Sequence, residues 1–167
     1  MSKKSPEKSS HRLVEVRLDE DSIVRCSRDI EHERNVAVYD LLESNSFELL
    51  EHGAQGPYSL LLALEGRRLA FHIGDPDHKP LKSIMLSLFS FRRLIKDYFL
   101  LCESYFEAIR TAPPSRIEAI DMGRRGLHDE GAQLVIDRLA GKIKVDFETA
   151  RRLFTLICAL QGRGGPQ

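Results

Sequence analysis

Long hydrophobic runs are missing from this chain. Its apolar stretches reach only five residues, as at residues 98–102, far short of the ~18 that suggest a membrane-spanning helix. The first ten residues, MSKKSPEKSS, contain no apolar segment, which argues against a secretory signal. Cysteine is scarce: Cys26, Cys102 and Cys158 are odd in number, widely spaced and form no C-x-x-C pair. That pattern points away from a disulfide framework or a zinc knuckle and towards a reducing compartment. The common signatures of chemistry are absent as well: no G-x-S-x-G, no H-E-x-x-H, no Walker loop and no G-x-G-x-x-G. No catalytic residue, metal or cofactor is therefore assigned, and a cytoplasmic location without membrane attachment is expected.

Net charge is also absent, since 25 basic and 25 acidic residues cancel. The cancellation is uneven along the chain. Residues 19–51 carry ten acids against three arginines, a net of −7; residues 52–167 carry 17 bases against 13 acids, a net of +4. Either these segments face each other or they face different ligands.

What is present is material for a core. The 167 residues are 42% hydrophobic and 30% charged, the balance of an ordinary globular domain. The reading is a basic disordered tail over residues 1–10, a single α+β domain over 11–161, and a flexible C-terminus over 162–167. Val14, Val16 and Leu18 alternate with polar residues as in a half-buried strand. Asp29 is placed as the cap of a helix that runs to about Glu43. Two strands follow, with Leu60, Leu62 and Leu64 on one face of the first and Leu69, Phe71 and Ile73 on one face of the second. Glu65-Gly66 joins them as a hairpin. Ile84, Leu86 and Leu88 mark a fourth strand.

The second half reads as helices. Ser90 is taken as the cap of a helix to about Thr111, amphipathic at 100° per residue and expected to cover the sheet, with Leu100 left in its polar arc. Pro114 suits the first position of the next helix. Gly123-Arg124-Arg125-Gly126 is read as a turn that interrupts it, with helix resuming near Asp129. Gly141 closes that segment, Ile143 and Val145 form a short strand, and Asp146 caps a last helix. Strands first and helices after give an α+β fold: a small antiparallel sheet of about four strands, covered by helices from the C-terminal half.

Several stretches resemble a bacterial family. They are Asp29-Ile-Glu-His-Glu-Arg34, Phe91-Arg-Arg93 with Lys96-Asp-Tyr-Phe99, residues 117–128 (IEAIDMGRRGLH), and Asp146-Phe147 with residues 149–158 (TARRLFTLIC). Together they are similar to the uncharacterised UPF family numbered 0262, of alphaproteobacteria. The resemblance implies a bacterial cytosolic protein. It implies no activity, cofactor or site.

Three groups of residues remain as candidates. Gly123, Arg124, Arg125 and Gly126 have the G-x-x-G form of a nucleic-acid clamp: glycines allow close backbone approach, and arginines bind phosphate through two bonds. Asp121 with His128, across the same turn, is an acid–histidine pair suited to hydrolase-type acid–base work, though Asp129 and Glu130 also suit a helix start. Glu33, Asp40 and Glu43 form an acidic helix face for a protein partner. The grouping Asp29, Glu31, His32 and Glu33 is a poor metal site, because neighbouring helix positions diverge by 100°. The leading expectation is a non-enzymatic interaction or regulatory protein with an unidentified protein partner. Single-stranded RNA binding through Gly123–Gly126, or hydrolysis near Asp121 and His128, are the alternatives.

Overall fold

Six strands and four α-helices make up the described residues, which in this computed structural model are 10–19, 27–50, 53 and 55–161. The predicted tails lie outside them, apart from Ser10. The order is β1 (Leu13–Leu18), α1 (Arg28–Glu43), β2 (Phe47–Leu49), β3 (Tyr58–Glu65), β4 (Arg68–Gly74) and β5 (Pro80–Ser87). A 3-10 turn (Phe89–Phe91) then leads into α2 (Arg92–Thr111), α3 (Pro114–Leu139), β6 (Ile143–Val145) and α4 (Phe147–Gln161).

The main sheet has the strand order β1-β3-β4-β5. β3 and β4 form the expected hairpin, with Glu65 opposite Arg68 and Gly66 at a φ of +68° that a side chain rarely adopts. β1 runs parallel to β3, so the sheet is mixed where antiparallel pairing was expected. The reason is the connection: α1 lies between the two strands and supplies the long crossover that parallel pairing needs. β2 was not foreseen and pairs with β6 in a small antiparallel sheet of its own. One face of the main sheet buries Leu60, Leu62, Leu69, Phe71, Ile73, Ile84 and Leu86 in a single core shared with the helices. On the other face His72 hydrogen-bonds Ser83 at 2.7 Å and Glu65 at 3.1 Å.

The helices correct the sequence reading in four places. Ser27, not Asp29, caps α1: its hydroxyl accepts from the Ile30 N–H at 3.2 Å, which leaves Asp29 in the first turn facing the helix dipole. Ser90 caps nothing; it sits in the 3-10 turn, and α2 starts without a side-chain cap. The helix at the centre is α4, not α2. Its sequence from Leu153 to Gln161 carries no charge, and every residue there is buried, as a helix apolar all round must be.

The fourth correction bears on function. Gly123-Arg-Arg-Gly126 is not a turn, because α3 runs unbroken for 26 residues from Pro114 to Leu139. Asp129 and Glu130 are therefore mid-helix residues rather than caps. Each glycine costs a helix about 1 kcal/mol relative to alanine, which tertiary packing can outweigh. Here α3 is sandwiched between α2 and α4. A side chain at Gly131 would put its Cβ 2.5 Å from the Phe154 ring, so the glycine is what allows α4 to pack so closely. Asp121 adds local support by pairing with Arg124 and Arg125 at 3.2 and 3.0 Å. Three further expectations hold: Pro114 opens α3, Gly141 follows it at a φ of +83°, and Asp146 caps α4 by accepting from the Thr149 N–H at 2.9 Å. Leu100 is exposed, and Cys102 and Cys158 are buried.

Candidate functional site

α1, α3 and α4 line an open cleft of about 300 Å³ between them. α1 contributes Glu33 and Asp40, α3 contributes Asp121, Arg124, Arg125 and His128, and α4 contributes Glu148, Arg151 and Arg152. Residues that the sequence offered as three unrelated candidates thus line one space. Glu43 is exposed at the end of α1 and does not line it. Gly123 faces Leu101 of α2, and Gly126 faces open space.

The inner end of the cleft is closed by hydrogen bonds. Arg124 is only 14% exposed, and its side chain donates to both oxygens of Glu33 at 3.3 Å and to Asp121 at 3.2 Å. Its guanidinium also lies 4.2 Å from the centre of the Tyr105 ring, a cation–π arrangement. Burial, the largest single influence, pushes the Arg124 pKa down, but Glu33, Cys102, Asp121 and Tyr105 together outweigh it and the net shift is upward. The Arg124 Nε is buried without a partner. Nearby, burial and then the Glu33 charge push the Cys102 thiol up to about 11, so it is not a thiolate at neutral pH.

His128 forms part of the floor. Its Nδ1 lies 2.9 Å from the Arg124 carbonyl oxygen, which can only accept, so Nδ1 carries the proton. The ring packs edge-on against Tyr98 and Phe154. Burial lowers its pKa, and the neighbouring Arg151 and Arg124 charges act in the same direction against the hydrogen bond to the Arg124 carbonyl. The imidazole is therefore neutral near pH 7, with Nε2 as an acceptor. Asp121 and His128 do not bond to each other: Asp121 serves Arg124 and Arg125, and His128 serves the backbone.

The outer end is held more loosely. Arg152 stands 3.9 Å from Asp40 and 3.4 Å from Glu148, and Arg151 stands 3.9 Å from Glu148. Distances of 3.9 Å are ion pairs without hydrogen bonds. Arg151 also bonds Asp129, and Arg125 is 73% exposed beyond its one pair with Asp121. Glu148, Arg151 and Arg152 are not among the sequence candidates; they form the polar strip of α4. The available signal was how narrow that strip is on a helix otherwise buried, since polar residues confined there must face a gap between neighbours.

Among the described residues no three metal-ligating side chains come together, and no helix is long and apolar enough to cross a membrane. Comparison with known proteins gives a consistent answer. The profile described as "Uncharacterised protein family (UPF0262)" matches residues 10–163. A UPF0262 protein of Nitrobacter winogradskyi is 56% identical, covering 98% of this chain and 99% of its own. One from Rhodopseudomonas palustris strain TIE-1 is 54% identical over 98% of this chain and all of its own. No solved structure matches. The chain belongs to the UPF0262 family.

Proposed function

We propose that this protein is a non-enzymatic interaction and regulatory protein of the bacterial cytoplasm, and that the cleft between α1, α3 and α4 is its recognition element. One observation carries the reading. The groups best suited to acid–base work are bonded within the protein, whereas at the outer end the Asp40–Arg152 and Glu148–Arg151 pairs stand 3.9 Å apart, without a hydrogen bond between them. Asp121 and Glu33 hold Arg124 and position the helices. Arg125, Arg151, Arg152, Asp40 and Glu148 keep hydrogen-bonding capacity for something outside. Against the nucleic-acid alternative stands the helix at residues 123–126, since a backbone phosphate clamp draws on free N–H groups at a turn.

The test is affinity purification of the tagged protein from a bacterium that carries a relative, beside Arg125→Glu. Arg125 is 73% exposed with an ion pair to Asp121, and an unchanged circular dichroism spectrum of the variant separates lost binding from lost fold. A defined protein that survives nuclease treatment and is lost with Arg125→Glu supports the reading. Nucleic acid bound by wild type and lost in the variant overturns it. So does ester or phosphoester hydrolysis by wild type that disappears in His128→Asn.

A further inference from the structure

The cleft has a charge pattern that selects among ligands, and on the reading of it as the recognition element we infer that it binds a small zwitterion of the amino-acid class. Four arginines and four carboxylates line it, together with one histidine. A lone anion entering would meet Glu33, Asp40, Asp121 and Glu148. A lone cation would meet the arginines. A molecule carrying both charges a few bonds apart gains from both sets. The space is at the small end of ligand sites, about 300 Å³, and fits an amino acid rather than a nucleotide.

The loose pairs say where each charge goes. Asp40 and Arg152 attract each other across 3.9 Å without a hydrogen bond, so each can take one from a ligand with no bond broken. Arg151 and Glu148 stand in the same relation, also at 3.9 Å. The ligand carboxylate sits on Arg152 with Arg151 or Arg125 beside it. The ligand ammonium sits on Asp40, and Nε2 of the neutral His128 accepts a further N–H from the floor. The inner cluster of Arg124, Glu33 and Asp121 is bonded to itself through the two terminal nitrogens of Arg124 and serves as the wall.

Isothermal titration and thermal-shift measurements on the full chain test this with the standard amino acids, singly. For any that binds, its N-acetyl derivative and its amide follow, with succinate and putrescine as single-sign controls. The expected result is saturable binding of at least one amino acid, lost with either derivative. Asp40→Asn and Arg152→Gln should each weaken it by about tenfold or more. Both residues are partly exposed, so an unchanged circular dichroism spectrum will separate lost binding from lost fold. Equal binding of succinate or putrescine, or no amino acid bound at ~10 mM, overturns the inference. The two proposals fail separately. A ligand that binds and is chemically altered sinks the non-enzymatic reading and leaves this one. A partner lost with Arg125→Glu while no amino acid binds sinks this one and leaves the other.

Discussion

Two arginines on opposite sides of α3 make the same pattern of bonds in different surroundings. On the rim, Arg93 of α2 joins Asp97 of its own helix at 3.1 Å and Glu130 of α3 at 2.7 Å. In the cleft, Arg124 of α3 joins Asp121 of its own helix at 3.2 Å and Glu33 of α1 at 3.3 Å. Judged by distance, Arg93 is the better anchor. Judged by surroundings it is not, because its side chain is 65% exposed against 14% for Arg124. Water and salt screen the first pair, and side-chain entropy opposes it. The second lies over Tyr105 and shields a carboxylate that would otherwise be left partly buried and unpaired. In this fold burial, not bond length, decides which ion pair organises the helices.

The comparison breaks most directly at Arg124. Arg124→Met keeps much of the stem but leaves Glu33 with no partner, at 21% side-chain exposure. A fully buried broken pair costs about 3–5 kcal/mol, so about 2–3 kcal/mol is expected for this less complete burial. Urea denaturation measures it. Adding Glu33→Gln should recover part of the loss, since the stranded charge is then gone. A stability loss no larger than that of Arg93→Ala would mean that burial does not separate the two sites.

Gly131 is next. Alanine there meets three atoms of the Phe154 ring at 2.5–2.6 Å, and Phe154 is fully buried with Tyr98 and His128 against it. The ring has no room to move, so overpacking should cost about 1–3 kcal/mol despite the better helix former. The cleft floor should be disturbed with it. A melting temperature at or above wild type would show that α4 can shift away from α3.

A third test uses pH. His128 has its pKa lowered by burial, so the unfolded chain takes up a proton before the folded one does. Stability from this group is complete above the ordinary imidazole value of about 6.5 and is lost as pH falls from there through the lowered folded value. Melting temperature should therefore fall more steeply with acid for wild type than for His128→Gln across that window. Parallel curves would place His128 in contact with water in the folded state.

Much of the fold was legible because it is written in local patterns. The β3–β4 hairpin follows from alternating leucines around Glu65-Gly66, Pro114 announces α3, and Asp146 announces α4. What escaped depends on distant partners. Parallel pairing of β1 with β3 leaves no mark on either strand. The continuity of α3 through Gly123 and Gly126 runs against local propensity and rests on two flanking helices that a one-dimensional reading does not hold together. The candidate residues Asp121, Arg124, Arg125, His128, Glu33 and Asp40 were visible one group at a time. Their convergence was not, because Glu33 and Arg124 are 91 residues apart.

That account of α3 makes Gly126 a sharper probe than Gly131. A Cβ at Gly126 meets nothing within 4 Å, so alanine there changes only helix propensity. Gly126→Ala should stabilise the protein by about 0.5–1 kcal/mol. A destabilisation would mean that residues 123–126 leave the helical state in solution, and the turn reading would return with it.

The smallest expected effect is at Arg93, and it completes the comparison. Arg93→Ala removes two ion pairs, one of them across helices at 2.7 Å, yet both acids it leaves behind stay in water. Nothing is stranded, and the neighbouring packing of Leu94 and Ile95 points the other way, into the core. Melting temperature and urea midpoint should match wild type at moderate salt. At low salt a small deficit should emerge and then vanish as salt is added, which is the signature of a screened surface pair. A salt-independent loss would instead place Arg93 alongside Arg124 as a helix anchor.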